Sequence, residues 1–170
     1  MASVIDLCNI ETTIVGLLES NNTSSGADVR NLSQSLTTKV NKIIDFDPSL
    51  ISPQASYYPL VCAFIDEKTI NISESTIAKN QLTAKRRAEL SLKIIGMIWN
   101  DNIVSDTSDP ASKDIKKLME NLEYIFRGYP TLSGTVSWQY PTDCTYHTIS
   151  LGEEAHLRAG VLTIKAKSDY

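Results

Sequence analysis

The sequence predicts an α+β fold: a mixed, largely antiparallel sheet with long strands, packed by an N-terminal helix and a helix near 110–127. Three observations carry the prediction. Residues 87–94 alternate strictly between apolar and polar, the two-residue period of a half-buried strand. Asp109-Pro110 opens an apolar stripe of helical spacing that Gly128 and Pro130 close. Strand-like runs flank both helical segments rather than alternating with them one by one, the mark of helices laid over one sheet face.

In chain order, Val4, Leu7, Cys8, Ile14, Val15, Leu17 and Leu18 predict an amphipathic helix over 3–20, ended by the turn formers Ser20 to Gly26. Residues 28–46 fit both a helical period and, at Val40 to Phe46, a β-branched run; a short helical or loop segment followed by a strand near 38–46 is expected. Ala55 to Ile65 reads as a mostly buried strand with Pro59 at its start or on an edge, because proline donates nothing to a ladder. The polar stretch 66–84 reads as a long excursion. The alternating strand then runs from 87 to 99, with Ala88, Leu90, Leu92 and Ile94 on one side and Glu89, Ser91 and Lys93 on the other, about 43 Å at ~3.3 Å per residue. Ile115, Leu118, Met119, Leu122, Ile125 and Phe126 form the second helix's apolar stripe. Three strand-like runs follow, 135–140, 144–151 and 156–167, with a turn at Gly152-Glu153-Glu154 and short gaps that favour antiparallel connections.

Composition narrows the function classes. The chain has 170 residues, the size of one domain, and no linker or repeat divides 1–170. With 42% hydrophobic residues it can bury a substantial core. A net charge of −4 argues against bulk electrostatic binding of nucleic acid. No apolar run nears the ~18 residues of a membrane span, and the first residues lack the basic start and apolar stretch of a secretory signal. Cys8, Cys62 and Cys144 are an odd set at no metal-ligand spacing, which fits reduced thiols.

A search for reactive groups finds none. The seven glycines form no phosphate-binding loop, and neither HExxH nor GxSxG occurs. Cys144 and His147, three apart on a strand, point to opposite faces, and His156 lies beyond the next turn. The acid pairs Asp66-Glu67 and Glu153-Glu154 are neighbours that diverge in extended chain. No catalytic, cofactor or metal residue is assigned, and the chain is not expected to be an enzyme. Lys85, Arg86 and Arg87 are the concentrated basic feature, read either as a guarded strand entry or as a contact for an acidic neighbour. Trp99 and Trp138 lie on predicted strands, where core packing is the first reading and interface anchoring the alternative; with the basic run they make the candidate protein-interface residues.

Several runs resemble the tail terminator, or tail completion, proteins of long-tailed bacteriophages, of the fold seen in the lambda terminator. Val40 to Pro48 followed by Tyr57 to Ile65 is similar to the family's basic-apolar stretch, its "dPs" and its "yPaV" strand. Lys85 to Gly96 resembles its basic entry into a long alternating strand, and Leu157 to Ala166 its closing strand. The order of elements matches over most of 3–167. The resemblance implies a virion protein assembled in the host cytoplasm into a homo-oligomeric, commonly hexameric ring. That ring would end the tail tube, meet the tube protein on one side and the head–tail connector or neck proteins on the other, and let DNA pass its lumen without specific binding. A head-completion or neck adaptor subunit and a non-viral protein-interaction domain are the alternatives.

Overall fold

The computed structural model describes residues 5–22, 31–71, 87–100, 109–151 and 155–169. Helix α1 runs Leu7–Ser20. Its start is set by Asp6, whose carboxylate accepts from the Asn9 N–H at 3.0 Å, so the helix begins four residues later than its apolar pattern suggests. Ile10, Ile14, Leu17 and Leu18 form its buried stripe. Asn21 ends it, with its side-chain amide on the Leu17 carbonyl at 2.8 Å.

Residues 31–41 are turns rather than helix, held by side chains in place of a ladder. The Val40 N–H donates to Ser33 Oγ, Ser33 Oγ donates to Asn22 Oδ1, and Asn121 of the second helix donates to the Leu32 and Gln34 carbonyls. The strand that follows is only β1, Lys42–Ile44. Strand β2 spans Leu60–Asn71. It starts just after Pro59, which has no N–H to give a ladder, but continues through 66–71, which sequence assigns to a polar excursion. A bulge between Ile65 and Glu67 absorbs Asp66 and keeps the charged run in the ladder.

Strand β3, Arg87–Asn100, is the alternating strand. Helix α2, Pro110–Gly128, has Asp109 as N-cap and buries the whole predicted stripe; Gly128 is its last residue and Tyr129 the cap. After it come two strands rather than three. Trp138–Ser150 is one strand, β4, because a bulge between Pro141 and Asp143 carries the chain through a sequence that reads as a break. Strand β5 is His156–Asp169. The expected turn at 152–154 lies outside the described residues.

The strands lie in the order β1-β2-β3-β5-β4, with β1 parallel to β2 and all other pairs antiparallel. Both helices cover one face. There Ile10, Ile14 and Leu18 of α1 and Leu118, Met119, Leu122 and Phe126 of α2 meet Val61, Ala63, Leu90, Leu92, Ile94, Leu162 and Ile164 in one core. At roughly 1.5–3 kcal/mol for each fully buried large apolar side chain, this layer is the main source of stability. Gly96 and Gly160 sit opposite each other in the β3–β5 ladder and form the shelf on which Leu118 and Met119 rest.

Among the described residues the helix-free face is covered at one end only. Residues 45–58 make two short 3-10 turns, Pro48–Leu50 and Ala55–Tyr57, and bring Ile51, Tyr57 and Tyr58 onto Leu60, Cys62, Met97, Leu157 and Ala159. Among the described residues no helix is long and apolar enough to cross a membrane.

Candidate protein interface

The two-residue period of each strand assigns every candidate residue to a face. Arg87, Trp99 and Trp138 all lie on the helix-free face, but at two ends. Trp99 is half-buried under the 45–58 cover, its ring 5.7 Å from that of Tyr58. Trp138 lies at the opposite end, stacked on Tyr140 at 4.9 Å, with Lys167 Nζ 5.2 Å from its ring centre and 3.1 Å from the Glu89 carboxylate. Arg87 is exposed at that same end, one alternation beyond Glu89. The fold therefore places Arg87 and Trp138 at one end of this face and Trp99 at the other, while Lys85 and Arg86 lie outside the described residues. Sequence distance hides the Arg87–Trp138 grouping, because β5 enters between their strands from the far end of the chain.

The two long edges of the sheet differ. Beyond the three residues covered by β1, the edge of β2 carries Asp66, Glu67 and Lys68, is bent by its bulge, and has its Ile65 N–H taken by the Glu11 carboxylate at 2.8 Å. Charge, bulge and side-chain cap are the devices that keep a strand edge from pairing further. The edge of β4 has them only in its first half, where Pro141 and the bulge sit and where the Gln139 N–H is taken by the Pro130 carbonyl. Its second half, Cys144 to Ser150, contains no Asp, Glu, Lys, Arg or Pro. Tyr146 and Ile149 there are 48% and 44% exposed. Burial, the hydrogen bond with Cys144 and the nearby Glu120 and Glu123 carboxylates push the Tyr146 phenol up to about 12, so it is uncharged at neutral pH.

This half-strand is anchored at the start of α2. The Asp109 carboxylate accepts from the Ser112 N–H at 3.1 Å, from Asn100 Nδ2 at 3.2 Å and from Arg158 Nε at 2.8 Å; the same guanidinium reaches Thr148 Oγ1 on β4. Asn100 Nδ2 also lies 3.4 Å from His156 Nε2. Sequence marks Asp109 as a helix cap and nothing more; its partner Arg158, 49 positions away, is brought to it by the β3–β5 register. Burial pushes the Asp109 carboxyl up, but the Ser112 and Ala111 N–H groups and the Arg158 hydrogen bond and charge outweigh it and hold the group below the usual carboxylate range.

A depressed folded-state value means that this carboxylate stabilises the fold at pH values above its unfolded value of about 3.9, and that the stabilisation is lost as pH falls through the folded value. Asp109→Asn, which can still cap the helix, is expected to cost roughly 1 kcal/mol at pH 7. In thermal melts between pH 2 and 7 the difference from wild type should vanish at the acid end. A gap independent of pH would show that the charge of Asp109 contributes nothing.

His147 and His156 are separated by the β4–β5 register, His147 opposite Ala159 and His156 opposite Ser150. Among the described residues no group of three or more His, Cys, Asp or Glu is arranged to hold a metal ion. Cys144 faces the helices and His147 the other side, as their spacing predicts. The arrangement offers surfaces and strand edges; its most developed polar cluster, around Asp109, is engaged in holding α2 to β5. No protein-family model matches the chain, and no curated protein is significantly similar to it.

Proposed function

We propose that this chain is a structural virion subunit of a long-tailed bacteriophage, forming the ring that ends the tail tube and joins it to the head. The observation that carries this reading is the inequality of the sheet's edges. The edge of β2 is guarded by its charges, its bulge and the Glu11 carboxylate, whereas the second half of β4 is bare. A subunit with two unlike edges is suited to head-to-tail contacts, which close into rings when the rotation permits.

The order of elements, helix, a short strand, two long strands, helix and a closing hairpin, supports this reading. The experiment is electron microscopy of tails assembled without this protein and after adding it back. Over-long tubes that the purified chain restores to uniform length support the reading. Tubes of normal length that lack heads would move the chain to a neck position, and normal, headed particles would overturn a virion role.

A further inference from the structure

We propose that the ring seam is a strand addition: the second half of β4 in one copy pairs antiparallel with the outer edge of β1 in the next. The inference rests on the ring reading above and names the surfaces that close it.

Three independent features of the sheet meet in this pairing. The first is level. Following the registered partners across the sheet, Lys42 lies in one row with Leu60, Met97, Ala159 and His147, and Ile43 in one row with Val61, Gly96, Gly160 and Tyr146. β1 and the bare half of β4 are thus the two ends of the same rows. The second is direction. β1 runs parallel to β2, and three antiparallel steps separate β2 from β4, so copies placed side by side bring β4 against an oppositely directed β1. The third is face. Tyr146 and Ile43 lie on the helix side of their rows, and His147 and Lys42 on the helix-free side, so each meets a partner on its own face.

The backbone is available for it. Leu151 turns its N–H back to Ala155 on the β5 side. Alternation from there directs Ile149, His147 and Thr145 at β5 and Thr148, Tyr146 and Cys144 outward. An aromatic opposite a β-branched residue, Tyr146 with Ile43, is a favourable cross-strand pair, and no like charges oppose each other along the seam. The other open edge, on β2, is closed to this role by Glu11, the bulge and its charges. Among the described residues that leaves β1 as the edge a second copy can offer.

Proline at position 146 separates folding from assembly. The Tyr146 N–H points out of the sheet, so Tyr146→Pro takes no bond from the β4–β5 ladder but blocks addition of another strand. His147→Pro, one residue on, removes a ladder bond and serves as the destabilised control. The full-length chain is sized by light scattering and imaged, alone and with tail tubes. Annular complexes in wild type that are lost in Tyr146→Pro, with an unchanged circular dichroism spectrum and melting temperature, support the seam. Annuli that persist in a folded Tyr146→Pro protein overturn the seam and leave the ring reading standing. A wild-type chain that stays monomeric under both conditions overturns both.

A second measurement does not depend on that variant folding. His147→Cys and Lys42→Cys copies are mixed under oxidation. A disulfide joining the two kinds of copy is expected. One joining His147→Cys copies only to each other would mean a two-fold β4–β4 pairing and would refute the head-to-tail seam.

Discussion

Replacing Phe126 with alanine is expected to lower the stability of the folded chain by about 3–5 kcal/mol. Phe126 is fully buried at the last turn of α2, within the main core between the helices and the sheet. Its removal leaves a void that neighbours cannot fill, because the same turn is pinned from both sides. Gln139 at the start of β4 donates its amide to the carbonyls of Phe126 and Tyr129, so the helix end cannot sink toward the sheet. Phe126→Leu retains most of the volume and should recover more than half of the loss. Urea unfolding followed by circular dichroism measures both. A cost for the alanine variant below about 1 kcal/mol would mean that the helix end collapses freely onto the sheet, contrary to this account.

Gly160→Val is expected to cost about 2–3 kcal/mol through overpacking rather than loss of contact. A Cβ at Gly160 would lie 2.5 Å from Met119 Cγ and 2.7 Å from its Sδ, and one at Gly96 would lie 2.9 Å from Leu118 Cδ2. Met119 is fully buried and cannot swing its sulfur into solvent. Helix α2 would have to lift from the β3–β5 pair, which also carries the Arg158 link to Asp109. Shortening the obstructing side chain tests the cause. In a Met119→Ala background the valine should be tolerated better by at least about 1 kcal/mol, the coupling expected of residues in contact. Strictly additive costs would place the strain elsewhere.

The parts of the fold that are legible in sequence are those whose signal is local. Asp109-Pro110 with its stripe yields α2, and the alternation of Ala88 to Ile94 yields β3 together with its buried face. The strand through Asp66, Glu67 and Lys68 is not legible, because charged residues on an exposed edge look the same as a loop. The continuity of β4 through Pro141-Thr142-Asp143 is hidden for a related reason: a bulge uses the residue types of a turn. Strand order is least accessible of all, since the insertion of β5 between β3 and β4 depends on pairing between distant segments. The candidate site inherits that limit. Arg87 and Trp138 could be selected as interface types, but their place at one end of the same face, and the bareness of the edge at Cys144 to Ser150, follow only from which strands are neighbours.

The cover that residues 45–58 lay over Cys62 gives the molecule a built-in gauge of its own breathing. Burial, with the Asp47 carboxylate nearby, pushes the Cys62 thiol up to about 12, so the covered thiol is protonated and unreactive at pH 8. Cys8, by contrast, is exposed on the first turn of α1. Slow alkylation of Cys62 against a fast Cys8 signal therefore times how often the cover lifts, and slower alkylation on assembly would reveal that neighbouring copies clamp it shut.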